Sequence, residues 1–91
     1  MSQYLHVAFV WSGNDPKINE LKPIFDKAKD WMRYAPNCWI VRTDLSPQVW
    51  YSRLKPYIKE PESVFICELN ITNRQGRLPK WMWDWIKKDR N

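Results

Sequence analysis

Residues 37–58 read NCWIVRTDLSPQVWYSRLKPYI. Cys38 to Thr43 is rich in β-branched and aromatic residues, which suit a half-buried pleated surface, and predicts a strand. Ser46-Pro47 then supplies a helix N-cap followed by proline at the first helical position, where a missing N–H breaks no bond. A short helix follows, expected to carry Val49, Trp50 and Leu54 inward and to stop near Pro56. A strand that runs through a capping signal into a helix predicts a chain in which the two alternate.

Upstream, Tyr4 to Trp11 (YLHVAFVW) predicts a first strand. Leu5, Val7, Phe9 and Trp11 share one face; Tyr4, His6, Ala8 and Val10 share the other. Both faces are largely apolar, so both are expected to be covered. Ser12-Gly13-Asn14-Asp15 is a turn cluster, and Asp15-Pro16 repeats the cap-then-proline signal. Ile18, Leu21, Phe25, Ala28 and Met32 follow at helical spacing. They predict a helix to about Arg33, ended by the loop Tyr34-Ala35-Pro36-Asn37. Pro23 interrupts it, so the helix kinks there or becomes regular only near Lys22.

Downstream, Ser63 to Ile71 (SVFICELNI) predicts the third strand. Phe65, Cys67, Leu69 and Ile71 share one face; Val64, Ile66, Glu68 and Asn70 share the other. Glu68 is expected to face solvent, Arg42 or a subunit boundary. Arg74-Gln75-Gly76-Arg77 forms a basic loop. Leu78 to Lys88 admits two readings. Trp81, Trp83 and Trp85 alternate as in a strand, whereas Leu78, Trp81, Met82, Trp85 and Ile86 fit one helix face and Pro79 suits a first turn.

The order is thus roughly β-α-β-α-β plus a Trp-rich C-terminal helix or strand. This is an α/β (α+β) chain whose helices lie against one sheet face, resembling a ferredoxin-like split βαβ sheet. With 91 residues, 44% of them hydrophobic, it is expected to be a single domain. Residues 1–73 would form the core and 74–91 a basic extension. A chain this short buries a thin core, and a partner is expected to supplement it. No apolar run nears the roughly 20 residues of a membrane span, and no secretory pattern opens the sequence, so a cytoplasmic protein with no membrane partner is expected. Cys38 and Cys67 are expected to be reduced, buried thiols, and His6 a packed strand histidine. Spaced Cys/His pairs for zinc are absent, and no metal site is assigned.

The formal net charge is +5. Residues 74–91 carry +4 of it and hold three of the seven tryptophans. Cations for phosphates interleaved with rings for stacking are what a nucleic-acid surface uses. Arg74, Arg77, Lys80, Trp83, Lys87, Lys88 and Arg90 are the candidate residues. In a helix Trp83 would point away from the Trp81/Trp85 face and so be the ring free for a base. The plainer account has Trp81 and Trp85 capping the core or a dimer seam, with the lysines merely solvated. Asp15 and Asp44 follow the first and second strands and would share one rim if those strands ran parallel. Two carboxylates on one rim are what a magnesium-dependent nuclease needs. Each also has an ordinary role at a helix start, and no catalytic residue is assigned.

Three segments together carry a family resemblance: YLHVAFV, NCWIVRTDLSPQVWYSRLKPYI and SVFICEL. They resemble the small bacterial proteins of the SinR family, which are similar to the ferredoxin-like subunit of the CRISPR adaptation complex and to VapD-type ribonucleases. The landmarks are Trp39, Ser46 and Glu62-Ser63, and the resemblance spans roughly residues 3–70. It implies a ferredoxin-like fold, a homodimer and association with RNA or DNA. Related nucleases place a metal-binding Asp at the end of the first strand, where this chain has Phe9, so no catalytic residue carries over. The expected function is that of a non-catalytic nucleic-acid-associated or assembly protein. The alternatives are a metal-dependent ribonuclease or deoxyribonuclease of toxin type, with magnesium as its only cofactor, and a protein-interaction module such as a phage or defence-system inhibitor.

Overall fold

In YLHVAFV the odd-numbered residues Leu5, Val7 and Phe9 are buried and the even-numbered ones lie on the opposite face. That alternation sets the central strand of the sheet. The computed structural model describes residues 2–13 and 17–88. Its elements are β1 (Gln3–Val10), α1 (Ile18–Phe25), β2 (Asp30–Ala35), β3 (Cys38–Thr43), α2 (Pro47–Leu54) with a 3₁₀ turn at Lys55–Tyr57, β4 (Ser63–Leu69) and α3 (Lys80–Lys87). The sheet order is β2-β3-β1-β4, and every neighbouring pair is antiparallel. This mixed α+β arrangement, β-α-β-β-α-β with β3 between β1 and β2, is compatible with a ferredoxin-like fold. Among the described residues, no helix is long and apolar enough to cross a membrane.

One helical expectation is half overturned. α1 begins at Ile18, after Lys17 at the N-cap, and ends at Phe25. The expected cap, Asp15-Pro16, lies outside the described residues. Pro23 is accommodated inside α1, but two residues later the chain tightens and leaves the helix. Lys27 N–H donates to Ile24 O at 3.1 Å and Ala28 N–H to Phe25 O at 2.9 Å, short-range bonds that end an α-helix. Residues expected as its second half form β2 instead, a fourth strand paired with β3 through a turn at Pro36-Asn37. Met32 fits the helical spacing of Leu21 and Phe25, yet it is buried on the other side of the sheet, opposite Ile40.

α1 and α2 cover one sheet face. Their core holds Leu5, Val7, Phe9, Leu21, Phe25, Trp39, Val41, Trp50 and Leu54. Its centre is aromatic: Phe25 stacks on Trp39 at 4.8 Å and on Trp50 at 6.0 Å, and Phe9 meets Trp39 edge-on at 5.3 Å. Trp50 brings a polar N–H into this core, and Nε1 donates to Thr43 Oγ1 at 3.1 Å. Ser46 caps α2 as expected, accepting from Val49 N–H at 3.3 Å. Val49 itself faces solvent rather than the core. Val64 and Ile66 pack against this helix-covered face, not against the outer one.

α3 covers part of the second face. Met82 and Ile86 are buried against Met32 and Ile40, and Trp85 meets Tyr4 edge-on at 5.9 Å. The C-terminal segment is therefore a helix docked on the sheet. It covers the end where Tyr4 pairs with Leu69. At the other end of that face Val10 is 63% and Phe65 64% exposed.

Candidate nucleic-acid interface

The segment from the end of β4 through α3 carries most of the sequence-derived candidates. After Leu69 the chain turns at Asn70, whose Oδ1 accepts from Thr72 N–H at 3.2 Å and from its hydroxyl at 2.6 Å. Asn73 N–H donates to Asn70 O at 3.3 Å and closes the turn. Arg74 Nη1 donates to Ile71 O at 3.0 Å, which holds the guanidinium beside the turn. Arg74, Arg77, Lys87 and Lys88 are exposed. Lys80 is exposed too, but its Nζ lies 2.8 Å from Asp84 Oδ2 across one helical turn, which offsets its charge. Arg90 lies outside the described residues.

The aromatic assignments shift by one side chain. α3 buries Met82 and Ile86, which leaves Trp83 and Trp85 on its flanks, both partly buried against the second core. Trp81 is the ring that faces solvent, 53% exposed. With 3.6 residues per turn, neighbouring tryptophans lie on widely different sides of a helix. The expectation that Trp83 would be free, with Trp81 in the core, is therefore corrected. Trp83 instead walls a groove of about 260 Å³ between β4, the 70–78 loop and α3.

The ends of the first strand and of Cys38–Thr43 do not lie together. β1 and β3 are antiparallel, so the expectation that their ends share a rim fails. Asp44 follows β3 beside the start of β1, where it accepts from Ser2 Oγ at 2.9 Å and faces Lys29 Nζ at 2.8 Å. The Lys29 contact holds its pKa below the ordinary carboxylate value. The end of β1 lies at the opposite rim, and Asp15 beyond it is outside the described residues. Among the described residues no three His, Cys, Asp or Glu side chains gather around one point. Phe9 is buried against Trp11, Phe25 and Trp39. Glu68 is exposed on the side of β4 away from Arg42, consistent with the solvent-facing account.

Glu62, noted in the sequence only as a landmark of the resemblance, is the most strongly perturbed carboxylate among the described residues. Oε1 accepts from Lys59 N–H at 3.0 Å and Lys17 Nζ at 3.2 Å; Oε2 accepts from Ser12 N–H at 3.2 Å and Ser12 Oγ at 3.1 Å. These bonds, the backbone N–H of Lys59 first, pull its pKa down to about 2. Glu62 thus ties the loop after β1 to the turn before β4. On the second sheet face, His6 Nε2 is hydrogen-bonded to the Tyr34 hydroxyl. Burial lowers the His6 pKa, and burial followed by a bond to Cys38 raises that of Tyr34 to about 12. Cys38 and Cys67 are free thiols, half-buried on this face rather than sealed in the core.

No protein-family model matches the chain, and neither a curated protein nor a solved structure matches it.

Proposed function

We propose that this is a cytoplasmic, non-catalytic nucleic-acid-associated protein that works as a homodimer and binds through the segment from Arg74 to Lys88. One observation carries the reading: Arg74, Arg77, Lys87 and Lys88 are all exposed in the same loop-helix unit as the solvent-facing Trp81 ring. Cations that reach phosphates and a ring able to stack on a base are the two components of a sequence-tolerant nucleic-acid surface. α3 carries Trp81 and Lys87, and Met82 and Ile86 anchor its other side to the sheet.

The test is a salt titration of binding to labelled RNA and DNA. Affinity is expected to fall steeply with salt, with a slope of about −0.9 per phosphate contact on a duplex. Replacing Arg74, Arg77, Lys87 and Lys88 together by Ala is expected to weaken binding to every sequence and flatten the slope. The melting temperature should hardly change, because all four side chains are exposed. Binding that is unaffected by these four substitutions defeats the reading.

A further inference from the structure

We infer that the groove between β4, the 70–78 loop and α3 receives an unpaired nucleobase, which makes single strands the preferred nucleic acid. This rests on the nucleic-acid reading above and deepens it. The groove measures about 260 Å³, below the range of sites for drug-sized ligands and roomy enough for one small group. Its lining combines three chemistries. Leu69 and Ile86 are apolar, the Trp83 indole adds an aromatic wall, and Asn73 and Gln75 contribute side-chain amides. Amides offer both donors and acceptors, as the edge of a base demands, and an indole supplies the stacking surface. Arg74 also lines the groove, with one N–H committed to Ile71 O and the rest of the guanidinium available to a phosphate. An apolar ligand would leave these amides and the guanidinium unused. A base joined to its phosphate matches these three chemistries and the guanidinium together. A base in a duplex is stacked and paired, and cannot enter.

Fluorescence anisotropy with a labelled oligo-U strand and a duplex of equal length tests the inference. The wild-type protein is expected to prefer the single strand. Trp83→Ala is expected to weaken single-strand binding roughly fivefold to a hundredfold, the effect of one lost stacking partner, and to leave duplex binding unchanged. Trp83→Phe should recover most of the loss. The pair Asn73→Ala and Gln75→Ala lies on an exposed loop and should lower single-strand affinity at unchanged melting temperature. It decides the matter if Trp83→Ala does not fold. Equal wild-type affinity for strand and duplex, or a loop pair that leaves the preference intact, overturns the groove while the cation surface stands. A wild-type protein that binds neither overturns both.

Discussion

Glu62 shows how one side chain holds two distant loops together. In the unfolded chain its carboxyl titrates at its ordinary value of 4.5, and in the folded protein it is held down to about 2. A depressed folded pKa contributes stability that is fully present above pH 4.5 and is lost as pH falls toward 2. Glu62→Gln keeps the shape but removes the charge that Lys59, Ser12 and Lys17 surround. It is expected to lower the melting temperature by several degrees at pH 7, and the gap to wild type should close near pH 2. A gap that persists unchanged at pH 2 contradicts this. His6 behaves in the opposite chemical sense. Burial lowers its folded pKa below 6.5, so the neutral ring is the stable form and acidification below that value costs stability. Tyr34→Phe, which deletes the hydroxyl bonded to His6, is expected to destabilise by about 1 kcal/mol in urea unfolding.

At the scale of elements, α3 is the part whose type the sequence leaves open. The Trp81, Trp83 and Trp85 pattern satisfies a strand, and Leu78, Met82 and Ile86 satisfy a helix. The helix wins because it buries Met82 and Ile86 together against Met32 and Ile40. Ile86→Ala is expected to cost about 2 kcal/mol, the low end for a truncated buried aliphatic side chain, since the second core is shallow. The urea midpoint should fall with little change in slope. The region after Pro23 presents the converse case. Ala28 and Met32 continue a helical spacing over few residues, and Trp31, Arg33 and Ala35 alternate with Met32 and Tyr34 equally well. Pairing with β3 decides between them, because an unpaired β3 edge would leave backbone groups without partners.

For the whole molecule, the second sheet face sets the expectation of a partner. α3 covers its Tyr4–Leu69 end, and Ala8, Val10 and Phe65 lie together at the other, where Ala8 pairs with Phe65 in register. Two exposed apolar side chains at one end of a sheet face suit a self-complementary contact with a second copy. Light scattering is expected to give about twice the 11.1 kDa chain mass. Val10→Lys with Phe65→Lys should return a folded monomer, whereas a wild-type monomer refutes the dimer. The same molecule is expected to show no magnesium- or manganese-dependent cleavage of RNA or DNA. Phe9 at the end of β1 is buried in the core, and Asp44 is engaged by Lys29 and Ser2. Cleavage that co-purifies with the protein and disappears in Asp44→Ala would contradict this.

Three strands and the capped helix α2 were legible in the sequence, because alternation in YLHVAFV, CWIVRT and SVFICEL and the Ser46-Pro47 signal are local properties that act over a few residues. The basic character of the C-terminal segment was legible for the same reason: charge can be counted without a fold. Tertiary structure decided what depends on distant partners. It turned residues 30–35 into a strand and set β1 and β3 antiparallel, so that their C-terminal ends lie at opposite rims. It also exchanged the roles expected of Trp81 and Trp83. Short segments satisfy periods of 2 and 3.6 at once, and only the apolar surface waiting on β3 and the open sheet face selects between them.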